Sequence, residues 1–143
     1  MTTIAGMSAT GYSTVGDIVP THMTIYLAQS EGNSAIMDIL SSHLVVAPVV
    51  DDEGHLAGFL GESEILNALY SGKDISQVKV EDIMTEDRTS TVTEMTPISA
   101  VVTLFQDEEL QIIPITREGR VIGSLTRHDL IRALTGAGLG IEN

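Results

Sequence analysis

Cysteine is absent from the 143 residues, which removes disulfides, thiolate nucleophiles and cysteine-ligated zinc together. Long apolar runs are missing as well. No stretch approaches the roughly 18 uninterrupted apolar residues of a membrane span, and the opening MTTIAGMSATGYS has no basic region followed by a hydrophobic run. The expectation is a soluble, cytoplasmic protein with no membrane insertion. Positive charge is the third scarcity: seven Lys and Arg stand against twenty Asp and Glu, a formal net charge of −13. A phosphate backbone attracts clustered cations, so nucleic acid is not an expected partner. The scarcity is also uneven. The first 72 residues hold eight acids and no Lys or Arg, whereas all five arginines lie between residues 88 and 132. An anion finds better company in the second half.

Catalytic signatures are missing too. No Ser, His and acid fall in a nucleophile context, and there is no phosphate-binding loop or GxGxxG, so the chain does not read as an enzyme. His22, His43, His55 and His128 include no pair at i, i+4 on one helix, which argues against a metal site. Asp51-Asp52-Glu53 lacks the alternating oxygen ligands of a calcium loop and reads as a hydrated turn.

What is present is written twice. Sliding the chain over itself by 65 residues lays GDIVPTHMTIYLAQSEGNSAIMDIL on EDIMTEDRTSTVTEMTPISAVVTLF, and GFLGESEILNAL on GSLTRHDLIRAL. Pro48 and Pro114 differ by 66, so one residue is gained before the proline and one lost from the turn after it. Each copy opens on an Asp-Ile pair, continues as a β-rich segment (24–27 and 89–92) and enters a helix. The second such helix has Thr96 as its expected N-cap and Pro97 as its first residue. LVVAPVV and LQIIPIT then read as short β-branched strands, each returning through a polar turn as HLAGFL or RVIGSL, a hairpin pattern. Closing helices run from about Glu62 to Tyr70 and from about Arg127 to Leu134, with Gly72 and Gly136 as C-caps. The expected fold class is α/β (α+β), two repeats of strand, helix, strand, strand, helix at 16–72 and 81–136. Residues 73–80 form the linker, and 1–15 and 137–143 the tails. The helices after Gly32 and Pro97 are apolar on nearly every side, which asks for a second packing surface such as a homodimer.

This pattern resembles a tandem pair of cystathionine-β-synthase (CBS) domains, a Bateman module. The resemblance rests on Asp82-Ile83-Met84-Thr85, Pro48-Val49-Val50-Asp51, Ile113-Pro114-Ile115, Gly54, Gly119 and Gly123-Ser124-Leu125-Thr126-Arg127-His128-Asp129-Leu130, and covers about residues 16 to 136. It implies two copies packed sheet to sheet about a pseudo-twofold axis, pairing into disc-like homodimers, with clefts for AMP, ADP, ATP or S-adenosylmethionine. No obligatory cofactor is implied. It also implies regulation of an enzyme, channel or transporter, here a separate effector protein, since no effector domain lies in the chain.

The stretch Thr126-Arg127-His128-Asp129 carries two readings. As a helix start, Thr126 is the N-cap and Asp129 reaches back to it, a capping box that stabilises by about 1 kcal/mol. As the family's Thr-x-x-Asp nucleotide signature, Asp129 accepts the hydroxyls of a ribose while Thr126, Arg127 and His128 serve its phosphate. The equivalent stretch of copy one, Gly61-Glu62-Ser63-Glu64, lacks the first hydroxyl and puts an acid where Arg127 stands. Capping would survive there and anion binding would suffer, so one competent site is expected, in copy two. Thr89 and Thr91 resemble backbone contacts to the adenine edge, and Ile113 and Pro114 a cover for its face; all four also suit plain core strands. Arg88 and Arg120 are further candidates for a phosphate, or solvated arginines. The acidity of the chain favours AMP or a cationic adenosyl compound over ATP. It also suits a competing reading, a scaffold with empty clefts in which the duplication builds only a dimer surface.

Overall fold

The computed structural model describes residues 14–86 and 89–136. A 3-10 turn at Val15–Asp17 leads in. The elements that follow are β1 (Tyr26–Leu27), α1 (Gly32–Ser42), β2 (Val46–Val50), β3 (Leu56–Gly61) and α2 (Glu62–Tyr70). After them come α3 (Val80–Ile83), β4 (Val92–Thr93), α4 (Ile98–Glu108), β5 (Ile112–Arg117), β6 (Arg120–Thr126) and α5 (Arg127–Thr135). The strands form two three-stranded sheets of the same order, β1-β2-β3 and β4-β5-β6, and in each the first strand runs parallel to the second. This is the expected strand, helix, strand, strand, helix order, twice over.

The hairpins are made by their turn residues. Between β5 and β6 only Glu118 and Gly119 intervene, both at positive φ (54° and 82°), the two-residue turn whose twist matches that of the strands it joins. Between β2 and β3, Asp51 Oδ1 accepts from the amides of Glu53 and His55, and Gly54 takes the left-handed position at φ 88°.

Two local expectations shift. Pro97 is the N-cap of α4, extended at ψ 145°, and Ile98 is the first helical residue. The cause is Thr96, whose hydroxyl accepts from the Thr93 amide and closes the turn before the helix instead of capping it. The opening strands are also shorter than the β-rich segments 24–27 and 89–92 suggest. Each pairs on one side only, over two residues.

The compact units are not the sequence repeats. Among the described residues one unit gathers 14–23, 90–118 and 122–136; the other gathers 24–86, 89 and 119–121. The lead-in of each repeat has changed sides. In the first unit Val15 and Ile18 join a core of α4, α5 and their sheet that includes Ile98, Val101, Ile113 and Leu125. In the second, Val80 and Ile83 of α3 join Ile36, Ile39, Val49 and Leu60. Strand edges record the same exchange: His22 bridges Ser124 in one unit, and Thr85 bridges Phe59 in the other.

Candidate functional site

The start of α5 is built around a carboxylate that sees no solvent. Asp129 has 0% of its surface exposed, and a buried charge must be met by donors. One oxygen, Oδ2, accepts from the amide of Thr126 at 2.9 Å and from its hydroxyl at 3.1 Å, while the Asp129 amide donates to Thr126 Oγ1 at 3.2 Å. This is the capping box expected from the sequence, closed in both directions.

The other oxygen is met from a distant part of the chain. Thr21 donates its amide to Asp129 Oδ1 at 3.0 Å and its hydroxyl at 2.6 Å. Arg132, one turn along α5, brings Nη2 to 3.3 Å of the same oxygen. Its Nη1 donates to the Thr21 hydroxyl at 2.8 Å, and its Nη2 to the Val19 carbonyl at 2.7 Å. Neither Thr21 nor Arg132 figured among the candidates. Helix spacing was the available signal for Arg132, which at i+3 shares a face with Asp129; Thr21 lies 108 residues away in sequence and left no local signal.

Arg127 and His128 are exposed. The Arg127 guanidinium lies 5.5 Å from the centre of the Phe105 ring on α4, in cation–π range, so the cation beside Asp129 is Arg132. Ser124, two residues before Thr126, is 2% exposed, and its hydroxyl has no hydrogen-bond partner among the described residues. A buried hydroxyl left unpaired is uncommon. The remaining candidates sit elsewhere. Ile113 is a core residue of this unit and Pro114 is fully buried beside it in β5. Thr91 is exposed just before β4. Thr89 is half-buried and falls in the other unit. Arg120 opens β6, where its side chain lies against the turn at Gly54. Arg88 lies outside the described residues.

Copy one differs for a steric reason. The N-cap of α2 is Gly61, without a side-chain cap, and the Glu62 amide donates to the Val45 carbonyl at 3.0 Å. A Cβ on Gly61 would stand 2.4 Å from that carbonyl oxygen, so no hydroxyl-bearing residue fits where copy two has Thr126. Two acids, Glu62 and Glu64, then occupy the first turn of α2.

One cluster that sequence spacing discounted does form. Asp51, Glu53 and His55 bring metal-ligating atoms within 4.8 Å of one another, all on exposed side chains. The Asp51 carboxyl is held below its ordinary range, chiefly by the His55 backbone amide. The same bonds build the hairpin turn.

Among the described residues no helix is long and apolar enough to cross a membrane. Comparison with known proteins places a CBS domain at residues 15–71 and again at 80–136. Arabinose 5-phosphate isomerase KdsD of Pseudomonas aeruginosa is 27% identical over 99 residues, 69% of this chain and 30% of that protein. The CBS domain-containing protein CBSX3, mitochondrial, of Arabidopsis thaliana is 32% identical over 100 residues, 66% of this chain and 48% of that protein. The chain thus spans less than half the length of these two relatives. Among solved structures, CBSX2 in complex with AMP superposes with a TM-score of 0.70 at 23% identity, covering 87% of this chain and 98% of that one.

Proposed function

Because the chain belongs to the CBS domain family, two domains filling most of its length, we propose that it is a regulatory module of the cytoplasm. In this reading it binds an adenine nucleotide or related adenosyl ligand in its second repeat and passes occupancy to a separate effector, an enzyme or a transporter. The observation that carries the reading is Asp129: a fully buried carboxylate at a helix start, five residues along the chain from Ser124, whose buried hydroxyl is unpaired among the described residues. A ribose diol offers donors that such a carboxylate can accept in place of protein ones. Thr126 and the amides of Arg127 and His128, which the capping box does not use, suit a phosphate at the start of α5, with the exposed His128 side chain beside them. Arg127 can add its charge only by leaving the Phe105 ring. The AMP complex of CBSX2 supports AMP as the first ligand to try.

Thermal denaturation across AMP, ADP, ATP and S-adenosylmethionine tests this. A ligand at one hundred times Kd stabilises by about 2.7 kcal/mol, and for a domain of this size that raises Tm by several degrees. Asp129→Asn is expected to abolish the rise. A flat response to all four ligands on folded protein supports the second reading, a dimer-forming scaffold, which the complete occupation of Asp129 by protein donors favours.

Either reading calls for a homodimer, and the duplication suggests where. Leu66 and Leu69 on α2 have their 65-residue counterparts in Ile131 and Leu134 on α5, and all four are exposed. Beside the second pair, Val102, Phe105 and Leu130 line an apolar groove of about 400 Å³ between α4 and α5. Unpartnered apolar surface repeated at equivalent positions fits a second copy of the chain. Sedimentation equilibrium is expected to give twice the chain mass for the native protein and a single chain mass for a Leu66→Glu, Ile131→Glu double variant. A monomeric native protein defeats this assignment.

A further inference from the structure

The segment that seals Asp129 has little else to hold it down. Val19 is 79% exposed and Thr21 is exposed, while the carboxylate beneath them is wholly covered. Its flanks are buried Ile18 and His22, whose carbonyl accepts from the Ser124 amide at 3.4 Å, and Pro20 between them is half-buried. Between these points the chain is fastened by hydrogen bonds to two side chains of α5. Thr21 presents an N–H and an O–H, side by side, to one oxygen of Asp129. Arg132 grips the same residue from the far side through its hydroxyl and holds the Val19 carbonyl with its second nitrogen.

Two neighbouring donors on one carboxylate oxygen are also what a vicinal diol offers. Resting on the reading of Asp129 as the ribose acceptor, we infer that residues 19–21 are a strap occupying the ribose seat of the unliganded protein, with Arg132 as its clasp. A ligand diol gains Asp129 Oδ1 by displacing Thr21. The guanidinium freed from Thr21 and Val19 keeps its ion pair with Asp129 and regains two N–H donors that an anionic group of the ligand can accept. Affinity is lowered by the fraction of molecules in which the strap is closed. Occupancy is thereby converted into release of the segment between Ile18 and His22, a change a partner protein can read.

Calorimetric titration with AMP, paired with hydrogen exchange at the residue 21 amide, tests the strap. Thr21→Ala removes the hydroxyl held by both Asp129 and Arg132; Thr21→Val does the same while keeping the bulk, in case the smaller residue weakens the fold. Both are expected to bind AMP about tenfold more tightly, the equivalent of one charge-assisted hydrogen bond. In the native protein, AMP is expected to speed exchange at Thr21, and Arg132→Gln to speed it without ligand. Suppose AMP binds the native protein, Asp129→Asn abolishes that binding, yet both Thr21 variants bind no better and the Thr21 amide stays protected in the complex. The strap is then overturned and the ribose reading stands. Equal binding by native and Asp129→Asn proteins, or no binding by any variant, overturns both.

Discussion

Gly58→Ala is expected to lose about 3 kcal/mol of stability or more, whereas Gly123→Ala, its counterpart 65 residues on, loses less than about 1 kcal/mol. The two glycines occupy the same place in β3 and β6, but different things face them. A Cβ on Gly58 would stand 1.9 Å from the Thr85 carbonyl oxygen. That oxygen is backbone, and it is committed: Thr85 exchanges two hydrogen bonds with Phe59, at 3.0 and 2.8 Å. Relieving the overlap means moving the segment after α3 off the strand edge and giving up both bonds. At Gly123 the nearest atoms are the sulfur and terminal methyl of Met23, at 3.0 and 3.3 Å. A Met23 side chain that is itself exposed can swing away at little cost. Urea unfolding of the two variants checks the contrast, and equal losses would show that Thr85 is not held as described.

That pair of glycines also shows where sequence reading stops. The 65-residue offset exposed the duplication, because each repeat must present the same apolar positions to its own sheet: Ile39 and Leu60 in one, Leu104 and Leu125 in the other. Hairpin turns and the capping box of α5 were legible for a related reason, since Glu118-Gly119 and Thr126-x-x-Asp129 are local chemistry within a few residues. The exchange of lead-in segments was not legible. Nothing in the pattern around Thr14–Met23 says that it joins the second repeat's core, for the choice between two similar sheets is made by long-range packing. The ring of donors on Asp129 was hidden on the same account. The sequence reading gave Arg127 to a ligand phosphate and named no cation for Asp129; in the fold Arg127 lies over Phe105, and Arg132, on the Asp129 face, reaches the carboxylate. Asp129 was found, and its partners were not.

Asp129→Ala is expected to cost about 3 kcal/mol of stability before any ligand is considered. The substitution removes the N3 carboxylate of the capping box, worth about 1 kcal/mol. It also leaves the amides of Thr21 and Thr126 and the guanidinium of Arg132 without their common acceptor, each unpaired donor costing about 1 kcal/mol or more where water cannot replace it. Asp129→Asn should cost less, about 1–2 kcal/mol. One amide oxygen remains to accept from one side, but the NH2 must face either Thr126 or the Thr21–Arg132 pair, donor against donor. If Asp129 is purely structural, the two variants follow this ranking in unfolding midpoint and native and Asn proteins respond alike to AMP. A ribose acceptor predicts a second effect on top of the first: the AMP-induced rise in Tm disappears in Asn, whose fold is largely kept. Should Asp129→Ala unfold at the native midpoint, the network around α5 contributes nothing to the fold. A carboxylate so fully covered would then have no structural reason to be there, and binding would be left to account for it alone.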